Sequence, residues 1–272
     1  ATVSRALAGK STVSAATRAK VEAAAKELGY VVSSAASSLA SGRTRNVGVV
    51  MPFLSSWFYT SVLKGIHEAL SDAGYDLTLY HLEASDASSG QGRSSRRERL
   101  FEEFLRRRRV DGLIAVSLEL SDAEIESLHH IGKPVVGVGG PLPGTTTLSI
   151  DDTSVARLAT EHLLALGHRH IAHIGGEPQL DLDFHLPRRR LDGYEAALAS
   201  RGVAPDPLLV RVADFTIAGG YRATLQLLGD PRVSPTAIFA ASDEMAIGAI
   251  LAARDLGKRV PEDLSVIGID GH

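Results

Sequence analysis

Cysteine is absent from the 272 residues of this chain, and aromatic residues make up only 5% of it. Without thiols the chain forms no disulfide, no iron–sulfur cluster and no cysteine-based zinc site, and it offers no thiolate nucleophile. The sequence also lacks a run of 18 consecutive apolar residues, which a membrane-spanning helix would need, and its first 30 residues show no signal-peptide pattern. We therefore expect a cytoplasmic protein with no membrane partner, of a length that suggests two ordinary domains.

Charge is distributed unevenly along the chain. Residues 1–45 carry seven basic and two acidic side chains, for a net charge of +5. The remaining 227 residues carry 22 basic and 30 acidic side chains, for a net charge of −8. This asymmetry is typical of a small module that binds a polyanion, joined to an acidic body that does not.

The basic segment has the periodicity of two helices. In STVSAATRAKVEAAAKELGY, apolar side chains recur at i, i+3, i+4 and i+7 from Val21, which predicts an amphipathic helix with Ser14 as its N-cap and Gly29 as its stop. The preceding ATVSRAL places Val3, Ala6 and Leu7 on one side, which predicts a short helix with a polar face. The pattern is that of a helix-turn-helix fragment. Because the sequence begins at Ala1 with nothing upstream for these helices to pack on, we expect a truncated N-terminus.

The next segment, residues 31–45, is small and polar, with Leu39 as its single large apolar side chain, and this composition is typical of a linker. From residue 46 onward, β-rich runs alternate with helical patterns in two series, which predicts two lobes, each a parallel sheet with helices on both faces. The predicted strands are NVGVVMP, DLTLYHL, DGLIAVS and KPVVGVG in the first series and TLSI, HIAHIGG, TAIFAAS and SVIGID in the second. The predicted helices lie near 57–73, 94–109, 121–131, 153–167, 187–201, 216–229 and 243–257.

Ligands of such sheets bind beyond the carboxyl ends of the strands, so residues that follow strands in the two lobes should converge on one cleft. Trp57, Phe58 and Tyr59 follow the first predicted strand and open a helix. They could form a flat apolar platform for a sugar or base ring, or they could anchor the helix on the sheet. The sequence leaves both interpretations open.

Charged residues occupy similar positions in the second lobe. Arg188, Arg189 and Arg190 begin a predicted helix, where the helix dipole disfavours cations. This indicates either guanidinium groups that bind ligand oxygens or a solvated run of charge. Asp243 and Asp270 each end a strand and could accept hydrogen bonds from ligand hydroxyls, although Asp243 could instead cap a helix.

Catalysis and metal binding have no sequence support. His168 and His170 share one face of a predicted strand while His173 lies on the other, which does not suit a metal site. The sequence contains no G-x-S-x-G, G-x-x-x-x-G-K-[ST] or H-E-x-x-H motif. We therefore predict no catalytic residue, no metal and no cofactor.

Ordered motifs along nearly the whole chain resemble the lactose/galactose repressor (LacI/GalR) family of bacterial transcription regulators. ATVSRALAGKSTVSAATRAKVEAAAKELGY resembles the recognition helix and third helix, and SSAASSLASGRTRNVGVVMP the hinge and first body strand. LGHRHIAHIGG, RRRLDGYEAAL, FAASDEMAIGAI and PEDLSVIGID resemble body motifs. The resemblance implies an α/β fold with a two-lobed, periplasmic-binding-protein-like body, parallel sheets flanked by helices, and a chain truncated at both ends. The implied domains are a partial helix-turn-helix at 1–30, a hinge at 31–45, an N-terminal lobe at 46–143 and an incomplete C-terminal lobe at 144–272.

The same resemblance implies functional positions. Thr2, Ser4 and Arg5 match the helix that lies in the major groove, with Arg5 where it can bind guanine O6 and N7. Leu39 matches a hinge leucine that enters the minor groove and kinks the operator. The positions that match the effector cleft are Ser55, Ser56, Trp57, Phe58, Arg190, Phe215, Ser242, Asp243 and Asp270.

The expected function is a homodimeric regulator, a repressor of operator DNA, controlled by a small molecule bound between the lobes. Aromatic faces suit a pyranose ring, and Arg190 with two carboxylates suits hydroxyls, so a sugar or sugar-like effector is favoured over a purine. One alternative is a periplasmic-type sugar-binding module, which would lack the basic head and carry a signal peptide. Another is an enzyme that uses Asp243 and Asp270 as an acid/base pair.

Overall fold

The protein is described by a computed structural model over residues 2–7, 12–30, 42–81, 110–118, 120–130, 132–178 and 185–272. The helix predicted near 94–109 and the hinge position Leu39 lie outside these ranges. No helix within them is both long and apolar enough to cross a membrane.

Two helices form at the N-terminus, α1 (Thr2–Leu7) and α2 (Ala15–Glu27), and they pack against each other. Ser14 caps α2 as predicted, because its Oγ accepts the amide hydrogen of Thr17. The chain leaves α2 through Gly29, whose φ of +60° is readily adopted by glycine.

The first sheet contains five parallel strands in the order β2-β1-β3-β4-β5. They are β1 (Asn46–Met51), β2 (Asp76–His81), β3 (Gly112–Val116), β4 (Val135–Val138) and β5 (Thr146–Leu148). Helices α3 (Trp57–Asp72) and α4 (Asp122–His130) belong to the same lobe. The strand predicted at TLSI opened the second series, yet β5 pairs with β4, so this assignment is wrong.

The second sheet contains four parallel strands in the order β7-β6-β8-β9. They are β6 (Ile171–Gly175), β7 (Val210–Val212), β8 (Ala237–Ala240) and β9 (Ser265–Ile267). The helices of this lobe are α5 (Asp152–Ala165), α6 (Leu186–Ser200), α7 (Ile217–Leu228) and α8 (Asp243–Asp255). The pattern did not predict β7, because three half-exposed residues are too short to show a period.

Strand β8 shows why helices cover both faces of this sheet. All four of its residues are buried, and they alternate between two clusters. Phe239 packs with residues of α5 and α6, whereas Ile238 packs with residues of α7 and α8. The two-lobed fold of parallel sheets flanked by helices is therefore confirmed.

Candidate functional site

A direct contact joins the two lobes at the carboxyl edges of their sheets. Ser56, which follows β1, donates its hydroxyl hydrogen to Glu244 Oε2 over 2.7 Å. The Trp57 amide, at the start of α3, reaches the same oxygen over 3.3 Å. Ser56 therefore bonds across the cleft instead of capping its own helix, and the convergence expected from the strand ends is observed.

The three adjacent aromatic residues divide between two environments. Tyr59 is buried and Phe58 packs beside it in the core of the first lobe. Trp57 is half-buried, and its ring centroid lies 4.6 Å from that of His272 in the second lobe. Phe58 and Tyr59 thus anchor α3 on the sheet, while Trp57 faces the other lobe.

The start of α8 presents three polar residues to this region. Ser242 caps the helix, since its Oγ accepts the Met245 amide hydrogen over 3.3 Å, so the capping role considered for Asp243 belongs to its neighbour. The Asp243 Oδ2 atom accepts the backbone amide hydrogen of His272 over 2.7 Å. A side chain at Gly268 would collide with Asp243 Oδ1, so the Asp243 carboxylate packs directly against the backbone after β9.

Asp270 follows β9 and adopts a φ of +131°, a region that non-glycine residues rarely occupy. The residue is exposed overall, yet desolvation raises the pKa of its carboxyl group to about 6. The positive charge of Arg190 opposes this rise, and the negative charges of Asp243 and Glu244 reinforce it. These four charged groups therefore share one electrostatic environment at the edge of the second sheet.

The buried Arg190 side chain joins three elements of the second lobe. Its Nε and Nη2 atoms lie 2.9 and 2.8 Å from Oδ1 of Asp152 at the start of α5, and Nη1 donates to the carbonyl oxygen of Ala241 after β8. Both charged side chains are almost fully buried. Arg188 instead pairs with Asp192 at the surface. The run of three arginines therefore contains one buried guanidinium group, that of Arg190, and one exposed to solvent, that of Arg188.

Phe215 and Ser55 complete the predicted cleft positions. Phe215 follows β7 with a φ of +57°, is half-buried, and packs its ring so close to Gly176 that a Cβ there would collide with it. Gly176 follows β6, so Phe215 lies on the same carboxyl edge of the sheet as Asp243. Ser55 is exposed beside Ser56.

Two residues that are prominent in the structure, Glu244 and Asp152, are not among the predicted site residues. Glu244 does lie in the segment that follows β8, which was a usable signal, but nothing in the sequence indicates that its partner is Ser56. Among the described residues no group of three or more acidic, histidine or cysteine side chains is arranged to hold a metal ion. His168 lies within hydrogen-bond distance of the Thr236 and Ser265 hydroxyls.

At the N-terminus, Ala6 is fully buried while Thr2 and Arg5 on the same helix are exposed. Ser4 lies between them in α1. A short helix that packs through Ala6 and leaves Thr2 and Arg5 exposed is compatible with a helix that lies in the major groove. Leu39 lies outside the described residues.

Two family models match the chain. One described as "Bacterial regulatory proteins, lacI family" matches residues 1–33, and one described as "Periplasmic binding protein-like domain" matches residues 160–272. The chain is 37% identical over 278 residues to the HTH-type transcriptional regulator CelR of Thermobifida fusca, covering 99% of this chain and 77% of CelR. It is 33% identical over 272 residues to the HTH-type transcriptional repressor CytR of Escherichia coli strain K12, covering 99% of this chain and 76% of CytR.

Solved structures give the same result. The lac repressor dimer bound to operator and the anti-inducer ONPF superposes with a TM-score of 0.81 at 29% identity, covering 100% of this chain and 78% of that one. A complex of the transcriptional regulator CelR with cellobiose gives a TM-score of 0.68 at 35% identity, covering 99% and 78%. The match over the basic N-terminal segment favours a regulator over a periplasmic-type module. The chain therefore belongs to the LacI family of bacterial regulatory proteins, whose members are DNA-binding transcriptional regulators and not enzymes.

Proposed function

We propose that this protein is a homodimeric cytoplasmic repressor that binds operator DNA and is controlled by a sugar or sugar-like effector held between its lobes. The observation that carries the proposal is the meeting of Ser56 and Trp57 with Glu244 at the carboxyl edges of both sheets. In this proposal residues 1–30 bind DNA and 31–45 form the hinge. The first lobe begins at residue 46 and extends past the predicted end at 143 to include β5, which pairs with β4, and the second lobe follows.

The chemistry of the cleft favours a ligand rich in hydroxyl groups. An indole ring offers an apolar face for a sugar ring, and the Asp243 and Asp270 carboxylates accept hydrogen bonds from hydroxyls. The CelR structure in complex with cellobiose supports a sugar. The proposed effector positions are Ser55, Ser56, Trp57, Arg190, Phe215, Ser242, Asp243 and Asp270, whereas Phe58, also predicted to line the cleft, packs against the core of the first lobe.

DNA binding is assigned to the basic N-terminal segment. Thr2, Ser4 and Arg5 would contact bases or phosphates in the major groove, and Leu39 would enter the minor groove between the half-sites. The lac repressor dimer bound to operator supports a dimer that binds two half-sites. Closure of the lobes around an effector would change the separation of the paired N-terminal segments, so effector and operator affinities would be coupled.

The effector is tested by a thermal-shift screen of the full-length protein against sugars and nucleosides, since a ligand that binds only the folded state raises Tm. We expect a sugar to stabilise the protein and Asp270→Ala to abolish the shift. Asp270 is a better test than Arg190, because removal of Arg190 would leave Asp152 as an uncompensated buried charge. Stabilisation by nucleosides alone would contradict the sugar assignment.

Operator binding is tested with a site selected by the full-length protein from a random DNA pool. We expect log K to fall linearly with log[salt], because Lys and Arg contacts displace counterions from DNA, and a flat plot would contradict DNA binding. Arg5→Ala should relax base preference at one position of each half-site. Uniform weakening on all sequences would identify a phosphate contact instead.

A further inference from the structure

Asp111 binds the end of the predicted linker to the body of the protein. Its Oδ1 atom accepts hydrogen bonds from the Thr44 amide over 2.8 Å and from the Thr44 hydroxyl over 3.0 Å. Its Oδ2 atom accepts the Arg45 amide hydrogen over 2.9 Å. One carboxylate thus holds two consecutive residues that lie 67 and 66 positions away in the sequence.

Two backbone hydrogen bonds also hold this end of the linker. The Arg45 carbonyl oxygen accepts the amide hydrogen of Asp76, and the Asp111 amide donates to the carbonyl oxygen of Asn46. Arg45 has a φ of +50°, a conformation that costs free energy for a side-chain-bearing residue and persists where the surroundings hold it. The end of the linker is therefore held against the amino ends of β1, β2 and β3.

The Asp111 carboxylate is suited to this role by its charge. Burial raises its pKa, but hydrogen bonds from Thr44 and Arg45 and the positive charge of Lys133 outweigh burial and hold the pKa below its ordinary value. Charge-assisted hydrogen bonds to backbone amides are stronger than those between neutral groups. The three hydrogen bonds to the Asp111 carboxylate therefore hold Thr44 and Arg45 more firmly than bonds to a neutral acceptor would.

This contact lies at the opposite edge of the sheet from the proposed effector cleft. Asp111 directly precedes β3, whereas Ser56 and Trp57 follow the carboxyl end of β1, and strands of five or six residues span about 17–20 Å. Asp111 therefore does not contact an effector in the cleft. It contacts residues 44 and 45, through which the N-terminal segment is joined to the body.

We propose that Asp111 is a positioning residue for operator binding, which clamps Thr44 and Arg45 to the first lobe and so sets the direction in which the linker leaves the body. The inference rests on the proposed function. When one N-terminal segment of the dimer has bound its half-site, the second segment binds the other half-site at an effective concentration that depends on how its linker is held. This concentration falls when residues 44 and 45 at the base of the linker become free. Because Asp111 holds Thr44 and Arg45 fixed on the first lobe, motion of that lobe is transmitted to the DNA-binding helices.

The test uses the full-length protein and four variants. Asp111→Ala removes all three side-chain hydrogen bonds, Asp111→Asn retains one acceptor oxygen, and Thr44→Val removes only the hydroxyl donor. The matched control is Asp76→Ala, which deletes an exposed carboxylate at the amino end of the neighbouring strand. For each protein we measure Tm, the affinity for the selected operator and for an operator with altered half-site spacing, and the affinity for the sugar that gives the largest shift in the thermal-shift screen.

For Asp111→Ala we expect operator affinity to fall about tenfold or more and the preference for the original spacing to weaken, with effector affinity unchanged. Asp111→Asn and Thr44→Val should lie between this variant and the wild type, and Asp76→Ala should match the wild type. Unchanged spacing preference in all three clamp variants would overturn the inference. A parallel loss of Tm, effector affinity and operator affinity would also overturn it, because it would show a structural role only. Failure of the wild type to bind any operator would contradict the proposed function and the inference with it.

Discussion

The Asp270 carboxyl group has opposing influences on its charge. Desolvation of the carboxyl group and the neighbouring Asp243 and Glu244 carboxylates raise its pKa to about 6, while Arg190 opposes this rise. The group therefore changes charge close to neutral pH, unlike an ordinary aspartate. If Asp270 binds an effector hydroxyl, as we propose, the hydroxyl donates preferentially to the ionised form, so effector binding and protonation compete.

We predict that effector affinity falls as the pH is lowered from 7.5 to 5, through the pKa of Asp270. Isothermal titration calorimetry with the full-length protein would measure this loss, and Asp270→Asn should remove most of it. Asp263→Asn is a suitable control, because hydrogen bonds from Arg259 hold the Asp263 pKa well below its usual range and keep it charged throughout. An equal pH dependence in wild type and Asp270→Asn would contradict the prediction.

His173 makes the stability of the second lobe sensitive to acid. Its ring stacks between Tyr194 and Phe239, at centroid distances of 5.3 and 4.9 Å, and its Nδ1 atom lies 3.2 Å from the Phe239 carbonyl oxygen. Burial lowers its pKa from 6.5 to about 4. Between these values the unfolded chain binds a proton that the folded protein excludes, so stability decreases as the pH falls through this window.

We predict that His173 contributes a loss of about 2 kcal/mol in the free energy of unfolding between pH 7 and pH 5. Urea unfolding at the two pH values would measure it. The His173→Asn variant should be less stable at pH 7, because it loses ring contacts, but should lack this component of the pH dependence. The same pH dependence in both proteins would rule out His173 as its source.

At the scale of elements, α7 and α8 approach each other through glycine. A side chain at Gly248 would collide with the Ile217 carbonyl oxygen, and one at Gly220 with the backbone of Met245. The helices therefore pack backbone against backbone on one face of the second sheet. Since α8 begins with the residues that face the first lobe, this packing also fixes the position of Asp243 and Glu244.

We predict that Gly248→Ala destabilises the protein by about 1–3 kcal/mol, because the added methyl forces the two helices apart. Gly65→Ala is a control with the opposite expectation. Gly65 lies within α3 with open space around its Cβ position, so alanine should stabilise the helix by about 0.5–1 kcal/mol. Chemical denaturation of both variants measures the two changes, and equal signs would contradict the prediction.

Elements with a clear period could be predicted, and contacts between distant residues could not. The helix expected near 243–257 is observed at Asp243–Asp255, because its apolar face and its start signals agree. Thr146–Leu148 joins the first sheet because it pairs with β4, and its own sequence does not indicate that partner. The link between Ser56 and Glu244 spans 188 positions, so only the folded chain shows it. The residues that follow the strands of the two lobes meet as predicted, at Ser56 and Glu244, but the sequence could not show that Arg190 is bound by Asp152.

For the whole molecule, the Glu244 contact influences the equilibrium between lobes in contact and lobes apart. Its carboxylate, which belongs to the second lobe, accepts two hydrogen bonds from the first lobe, at Ser56 and Trp57. Hydrogen bonds to a charged group contribute about 1.5–3 kcal/mol each to the state in which they form. The arrangement with the lobes in contact is therefore favoured before any ligand enters.

We predict that Glu244→Ala shifts the effector-free protein toward separated lobes and weakens effector binding about tenfold, because the effector must then close the lobes without this contact. Small-angle X-ray scattering should show a larger radius of gyration than for the wild type. Glu244→Gln, which keeps one acceptor oxygen, should be intermediate, and the exposed Glu262→Ala should have no effect. A radius of gyration unchanged by Glu244→Ala would contradict the role of the contact.

Strand β1 connects the end of the first lobe that holds the linker with the end that contacts the second lobe. It starts next to Arg45, which Asp111 holds, and the loop that follows it carries Ser56 and Trp57. Its six buried or half-buried residues all pair with β2, and four of them, Val47 to Val50, also pair with β3, so the strand is stiff. A tilt of about 5° over its length of roughly 20 Å displaces one end by about 2 Å relative to the other. If closure of the lobes rotates β1, as the proposed function implies, a small rotation at the cleft becomes an ångström-scale shift where the linker departs.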